Sequence, residues 1–576
     1  MIFTGSSVCG GAAVAPALLY APAELAVRRE RLSPADVSAE LERYEQAVAQ
    51  AGRELEELRA RFAGEHEAQG KIFDAHREIL EDEEIVAAVR LAISEEKKCC
   101  AWAVESVCQM YAGLFEQLED PLLRERSADV RDVGGRLLRA CLGAAQVSLD
   151  RLPRPCILVA HDLLPSDTAA LDRENVLGIV TEVGGATCHS AIIARSYDIP
   201  AVLGVAHITE RIRDGEELVL DADQGQVISS PTPAQRESFQ RLREEGLAWR
   251  AQAAQWRDRP CRSRDGVEIA IGLNVADPTP GELEALGSAA DFIGLFRTEF
   301  LYMGRDRLPT EEEQFQRYKA LLLRAGDKPV TLRTLDIGAD KPLSCYPRPR
   351  EENPALGLRG LRLCLADREL FRAQLRAALR ASVYGRLQIM FPMVGGVEDF
   401  MAARSVVEEV EEELRRERVS FREGLPLGVM IEVPSAALMA GALAARADFA
   451  SIGTNDLSQY LLAADRTNPE VAPYCQSFHP AVFRLIQLAV AAFSDAGKPI
   501  SVCGELGGEP LSAAVLVGLG IRKLSMSLSR ISGVKMLLAR HSVPELEALA
   551  EQVCASSTAE EVSACLRGRI TEGSTD

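Results

Sequence analysis

The residues with the clearest chemical potential in this sequence fall into two groups. The first is the run Gly184-Gly185-Ala186-Thr187-Cys188-His189-Ser190-Ala191-Ile192-Ile193-Ala194-Arg195. A β-type run ends before it, and its small-residue turn leads into a helix predicted to begin near Ser190. A histidine at a helix N-terminus feels the positive end of the helix dipole, which disfavours imidazolium and keeps the ring neutral and nucleophilic. The same N–H groups favour an anion once one is attached to the ring. A histidine standing alone is more often structural, and the residues by themselves leave that reading open. Zinc would require a second ligand pair beside Cys188-His189, and none stands at suitable spacing. A Ser190 nucleophile with His189 as its base is disfavoured, because adjacent side chains diverge.

The second group sits where β-type runs of the C-terminal half end. Arg297 lies in the second such run, Arg333 in the third, and Glu432 closes the fifth. Asn455 and Asp456 end the sixth, Cys503 and Glu505 end the seventh, and Arg466 follows the sixth at a short distance. Solvated loop charge explains one or two of these but not the whole set. Arginines at different strand ends can converge on a multiply charged phosphate with forked donors. Two carboxylates near an amide suit a Mg²⁺ ion that keeps positions open for substrate oxygens. A thiol in the same ring can give a proton to carbon. The conversion of a phosphorylated enol to a keto acid needs all three roles.

Those runs are Val267–Asn274, Phe292–Phe300, Val330–Asp336, Leu387–Met393, Leu427–Glu432, Phe449–Asn455, Ile500–Glu505 and Lys523–Ser527, with amphipathic helical sequence between most of them. Eight strands alternating with helices predict a (β/α)₈ barrel, whose chemistry sits at the C-terminal ends of its strands. The N-terminal half reads differently. Met1 to Tyr20 predicts one or two strands, and Ser33-Pro34-Ala35-Asp36 predicts a helix start. Leu41, Tyr44, Val48, Ala51, Leu55, Leu58 and Phe62 then recur at spacings of three and four, which makes one apolar seam on a long helix in a hairpin or bundle. Helical, acidic sequence continues to about Leu142. The short β-type runs Cys156–Ala160, Val176–Thr181 and Leu218–Asp221 make a compact α/β unit. If that unit pairs with the strands before Ser33, the helical part is an insertion in it. A charged helix opening at Thr232-Pro233 and ending at Pro260 reads as an interdomain spacer. The expected domains are therefore residues 1–32 with 144–231, residues 33–143, the linker 232–260 and the barrel 261–576.

Length and composition agree with a multidomain protein. The chain has 576 residues, 47% apolar and 26% charged, with a formal charge of −20. That sign argues against nucleic acid as a partner, since phosphate backbones need a basic face. Fourteen cysteines are scattered without a CxxC pair, which predicts reduced thiols in a cytoplasmic protein. Ala12 to Tyr20 is mildly apolar, but no Lys or Arg precedes it and Pro16 interrupts it, so neither a signal peptide nor a membrane span is expected.

These motifs together resemble Enzyme I of the sugar phosphotransferase system, the phosphoenolpyruvate–protein phosphotransferase family, over essentially the whole chain. The resemblance rests on Gly184 to Arg195, on Gly294-Leu295-Phe296-Arg297-Thr298-Glu299-Phe300, on Leu308 to Phe315, on Gly453-Thr454-Asn455-Asp456-Leu457 and on Cys503-Gly504-Glu505. It implies a swivelling phosphohistidine α/β domain with an inserted helical domain, followed by a TIM-type barrel. It also implies transfer of the phosphoryl group of phosphoenolpyruvate to His189, then to a histidine of the phosphocarrier protein HPr, with Mg²⁺ as cofactor. By motif, Arg297, Arg333 and Arg466 would hold the phosphate, and Glu432 and Asp456 the metal. Asn455 would contact substrate, Arg359 and Lys341 would lie close to it, and Cys503 would be the acid. Thr168 matches the residue that orients the active histidine, and His76 and Glu84 match the carrier-binding surface. Relatives dimerise through the barrel, so a homodimer is implied. Ala339, Val8-Cys9-Gly10 and Ser532 depart from the family pattern. An ATP-using dikinase or synthase is disfavoured, because only about 180 residues precede His189 and they contain no Gly-Lys phosphate loop. A non-catalytic regulator is disfavoured by the retained arginines, carboxylates and thiol.

Overall fold

The computed structural model describes residues 1–20, 27–61, 67–116, 121–143, 149, 152–164, 167, 171–184, 188–197, 199–276, 280–303, 305, 307–337, 343, 345–346, 348–349, 351–466, 468 and 471–572. They divide into two compact units, Met1–Ala248 and Trp249–Asp576.

The first unit opens with three strands, β1 (Ile2–Thr4), β2 (Ser6–Cys9) and β3 (Ala12–Tyr20), where the sequence suggested one or two. After the helical segment come β4 (Cys156–Ala160), β5 (Val176–Thr181), β6 (Ala201–Leu203), β7 (Glu217–Asp221) and β8 (Gln226–Ser229). All eight join one sheet in the order β1-β8-β7-β3-β4-β5-β6-β2. β3 runs parallel to β4, with Leu18 opposite Leu158, and antiparallel to β7, with Val14 opposite Val219. Strands from before and after the helices therefore lie side by side, which makes the helical segment an insertion. Apolar side chains alternate to both faces of this sheet. One core gathers Ile157, Val159, Val180, Val202 and Leu220, and the other gathers Leu158, Ile179, Ala191 and Leu203.

One residue, Gly5, separates β1 from β2, although these two strands stand at opposite ends of the strand order. The sheet must curl until its ends meet, and the junction is tight. A Cβ on Gly5 would lie 2.6 Å from Leu203 O and 2.7 Å from Val205 Cγ2. Only a residue without a side chain fits between them.

The inserted helices are α1 (Val37–Arg61), α2 (Glu67–Leu80), α3 (Glu83–Ser94), α4 (Cys100–Glu116) and α5 (Pro121–Leu142). The seam behaves as its spacing demands. Tyr44, Ala51 and Leu55 are buried, Leu41, Val48 and Leu58 pack partly against the same core, and Phe62 lies outside the described residues. The predicted cap shifts by three residues. Asp36 O accepts the first helical bond, from Glu40 N–H, while Ser33 Oγ is 2.6 Å from Asp36 Oδ2 and closes the turn before it. The α/β part also carries α6 (His189–Tyr197) and α7 (Ile208–Arg211). Helix α8 (Pro233–Ala254) starts where Thr232 and Gln235 exchange hydrogen bonds, and Ala253 is its one buried residue.

The second unit is a closed parallel barrel of β9 (Ala270–Val275), β10 (Phe292–Phe296), β11 (Pro329–Arg333), β12 (Arg386–Phe391), β13 (Leu427–Ile431), β14 (Phe449–Ile452), β15 (Ile500–Val502) and β16 (Lys523–Met526). Each corresponds to one predicted strand, and most end one to four residues earlier than their apolar runs. The first residues beyond the strand ends still bond to the neighbouring strand, Arg297 N–H to Val275 O at 2.8 Å and Cys503 N–H to Ile452 O at 3.1 Å, and lie at the barrel mouth. Leu295, Met390, Met430, Phe449 and Cys503 form a small apolar cluster of their own, separate from the main core. No helix among the described residues is long and apolar enough to cross a membrane.

Candidate active site

The early strand ends place the polar residues in a ring at the mouth of the barrel. Arg297 directly follows β10, Arg333 is the last residue of β11, Glu432 follows β13 and Cys503 follows β15. Asn455 and Asp456 lie in the first turn of the helix Thr454–Leu461, which begins just after β14. Gly504 allows this helix to pack against the end of β15, since a Cβ there would stand 2.3 Å from Thr454 N. Asn455 Oδ1 accepts the Glu505 N–H at 2.9 Å across the same junction, which leaves the Asn455 amide nitrogen to donate elsewhere.

Most of the charges here are buried and paired. Arg333 Nη2 is 2.8 Å from Glu299 Oε1, and its Nη1 is 3.1 Å from Asp336 Oδ2. Arg359 reaches Asp336 at 3.1 Å and Asp456 at 3.3 Å, and its Nη1 donates to Tyr460 OH at 3.1 Å. Tyr460 OH in turn donates to Ala355 O at 2.5 Å. Arg466 is exposed and meets Asp456 Oδ1 at 3.4 Å. Burial works against the Arg333 charge, but Glu299, Asp336 and Glu432 outweigh it and hold the guanidinium firmly protonated. Its Nε is buried without a hydrogen-bond partner, a donor left over for an incoming oxygen.

Beneath the ring, a buried polar chain fixes the loop that carries these charges. Thr298 Oγ1 donates to Arg333 O at 3.0 Å, and Gln374 Nε2 donates to Thr298 Oγ1 at 3.1 Å. Gln374 Oε1 accepts Leu335 N–H at 2.9 Å. Glu299 Oε1 also accepts Asp336 N–H at 3.0 Å, so one carboxylate holds both an arginine and the loop after it.

Burial acts on two acids in the ring, Cys503 and Glu432. Cys503 is buried, and burial pushes its thiol up to about 11 against the pull of the Arg333 and Arg297 charges. Glu432 is 1% exposed. Burial, with the Asp336 and Asp456 charges adding to it, pushes its carboxyl up to about 8. Glu432 Oε1 accepts the Met393 N–H at 2.6 Å. A carboxyl raised by neighbouring carboxylates is one that a divalent cation would ionise, so the oxygen donors fit Mg²⁺ chemically. Among the described residues no group of three or more His, Cys, Asp or Glu surrounds a common ion position. A Mg²⁺ ion at Glu432 and Asp456 would keep positions open for substrate oxygens and water.

His189 is the first residue of α6, one position earlier than predicted, and Ala191 N–H closes the turn onto Cys188 O at 3.1 Å. The His189 side chain, Thr168 and Lys341 lie outside the described residues. Glu84 is exposed in the first turn of α3, whose N-cap is Asp82. His76 is a correction. The expected interface residue is 0% exposed, 3.2 Å from Asp129 Oδ1 and edge-on to Phe73. It is a packed polar residue between α2 and α5.

Three members of the ring escaped the sequence reading: Glu299, Asp336 and Tyr460. The first two stand within three residues of a strand end that already carries an arginine. Tyr460 stands four residues after Asp456, on the same helix face.

Comparison with known proteins gives this geometry its relatives. Residues 250–543 match the PEP-utilising enzyme, PEP-binding domain, residues 152–225 the PEP-utilising enzyme, mobile domain, and residues 4–126 the PEP-utilising enzyme, N-terminal domain. The phosphoenolpyruvate-protein phosphotransferase of Listeria innocua is 40% identical over 562 residues, 97% of each chain. That of Bacillus subtilis is 40% identical over 569 residues, 98% of each chain. The chain belongs to the phosphoenolpyruvate-protein phosphotransferase family. An NMR solution structure of Enzyme I is 32% identical and covers 42% of this chain and 99% of that one, with a TM-score of 0.38. The family match spans both units, so the barrel ring and the α6 histidine belong to one phosphotransferase chain.

Proposed function

We propose that this chain takes the phosphoryl group of phosphoenolpyruvate onto His189, releases pyruvate, and passes the phosphoryl group to a histidine of the phosphocarrier protein HPr. This is the first step of the sugar phosphotransferase system. The observation that carries the reading is the ring at the barrel mouth, where arginines stand beside a buried thiol that stays protonated at neutral pH. Arg297, Arg333 and Arg466 bind the phosphate oxygens, Arg359 and Lys341 lie beside them, and the Asn455 amide donates to the substrate. Glu432 and Asp456 hold Mg²⁺, which when bound neutralises phosphate and enolate oxygens.

In the first half-reaction the neutral His189 imidazole attacks phosphorus, an N–P bond forms and the bridging P–O bond breaks. The leaving enolate takes a proton at carbon from the Cys503 thiol and becomes pyruvate, and water reprotonates the sulfur. Thr168 orients His189 for this attack. In the second half-reaction a histidine of HPr attacks the same phosphorus and frees the His189 nitrogen.

The domain division behind this reading sets a phosphohistidine domain of residues 1–32 and 144–231 around a carrier-binding insertion of residues 33–143. Residues 232–260 form the linker and 261–576 the phosphoenolpyruvate-binding barrel, through which two copies pair. HPr docks on the exposed acidic start of α3, with Glu84 in contact, and the protein works in the cytoplasm.

The test uses the full chain with labelled phosphoenolpyruvate and Mg²⁺. An acid-labile, base-stable label forms on wild-type protein and moves to added HPr. His189→Gln, folded as judged by circular dichroism, takes no label. Stable label on that variant would place the nucleophile elsewhere.

A further inference from the structure

We infer that Cys100 and Cys141 form an oxidisable dithiol site, closed by peroxide into a disulfide that ties the start of α4 to the end of α5. The two sulfurs are 2.8 Å apart, closer than two thiols packed without mutual contact, although 41 residues separate them in the chain. Cys100 opens α4 and Cys141 is the last residue but one of α5, so the helices bring opposite ends together. Gly134 makes this approach possible, because a Cβ there would stand 2.8 Å from Cys108 Cβ on α4. Cys100 is held from behind as well, where its N–H donates to Glu40 Oε2 at 2.7 Å.

The two thiols differ in access. Cys100 is 0% exposed and Cys141 is 9% exposed, beside the exposed Leu142 that ends α5. Helix ends open locally at little cost, so Cys141 is the sulfur that a small oxidant reaches first. Its thiolate attacks hydrogen peroxide, a sulfur–oxygen bond forms, the O–O bond breaks and water leaves after protonation. Cys100 then loses its proton and attacks the Cys141 sulfur, the S–S bond forms and the sulfur–oxygen bond breaks, releasing a second water. Two thiols and one peroxide give one disulfide and two waters. A resolving thiol already in contact favours closure over further oxidation of Cys141.

The location gives the bond a consequence. Leu32 N–H donates to Lys97 O at 2.6 Å, Arg31 and Lys98 form an isolated bridge, and Cys99 Sγ donates to Arg28 O at 3.1 Å. The chain therefore enters the helical bundle against the turn that carries Cys100, and it leaves at Gly143, two residues after Cys141. The disulfide would fasten together the two ends of the insertion.

The test treats native full-length protein with hydrogen peroxide, blocks free thiols in denaturant and maps peptides by mass spectrometry without reductant. The expected result is a Cys100–Cys141 cross-linked peptide, two hydrogens lighter than its separate halves and lost on reduction, with two of the fourteen thiols protected from alkylation. Cys100→Ala is expected to leave Cys141 as a sulfenic acid that dimedone traps, and Cys141→Ala to abolish the cross-link. The wild-type mapping requires no variant to fold. Oxidation that consumes the exposed thiols and leaves Cys100 and Cys141 alkylatable would overturn the inference. So would a disulfide that pairs Cys141 with Cys99.

Discussion

Tyr460 offers a clean perturbation of the barrel mouth, because Tyr460→Phe removes one hydroxyl and leaves every charge in place. That hydroxyl accepts from Arg359 Nη1 at 3.1 Å and donates to Ala355 O at 2.5 Å. Burial holds the phenol up at about 12 against the pull of Arg359, with Asp456, Glu432 and Asp336 adding to the rise, so it is a neutral donor throughout the working range. A hydrogen bond to a charged group contributes about 1.5–3 kcal/mol when buried. Arg359 keeps its contacts to Asp336 and Asp456, and Tyr460 is half-buried, so the lower end applies. A loss of about 1.4 kcal/mol is a tenfold change in equilibrium. Tyr460→Phe is therefore expected to weaken phosphoenolpyruvate binding about tenfold, read as KM and by calorimetry. Meanwhile kcat should stay within about threefold, because the hydroxyl positions a binding group and is not itself placed at the reacting atoms. Loss of the bond to Ala355 O lowers the unfolding midpoint slightly. If the midpoint falls while KM is unchanged, Tyr460 supports the loop alone and the positioning argument fails. If kcat falls with KM unchanged, the hydroxyl takes part in the chemistry.

Cys503→Ala is expected to lower pyruvate release by about 10²–10⁴-fold with substrate affinity retained, as for a proton donor needed in the transition state; undiminished turnover would remove the thiol from the mechanism. Gly5→Ala forces a Cβ against the Leu203 carbonyl and is expected to destabilise the first unit by about 3 kcal/mol in a denaturant titration. The Arg307 side chain and the Thr310 N–H hold Glu313 down to about 2, so the stability that its capping box gives the helix Glu311–Ala325 is present above the ordinary carboxylate value of 4.5 and is lost as pH falls towards 2. Thr310→Ala should flatten that loss in acid melts, and an unchanged pH profile would show that the cap does not couple to global unfolding.

The barrel was legible because its strands are continuous apolar runs between amphipathic helices, a pattern that few other folds impose. The reading overran most strand ends because hydropathy cannot register where a chain leaves the ladder. Phe296 and Ile431 are as apolar as the residues before them, so side-chain polarity does not mark where these strands end. Arg297, Arg333, Glu432 and Cys503 could be picked out singly, since charge or a thiol is out of place at the end of such a run. Their partners could not. Glu299 meets Arg333 across two strand ends, and Asp336 meets Arg359 over 23 residues of chain, so these pairings exist only after closure of the barrel. His76 shows the opposite failure, a signal present but outweighed. It stands three residues after Phe73 and four before Leu80, squarely on the apolar stripe of α2, and helical spacing alone would have buried it.

The curl at Gly5 also bears on how this protein behaves at high concentration. An open sheet ends in two rows of unpaired N–H and C=O groups, which serve as templates for another chain. Here the terminal strands are two halves of nearly one strand, three residues in β1 and four in β2, each already paired on one side. Little backbone remains for a stranger to join. Such a domain can expose side chains for recognition without offering its backbone for aggregation.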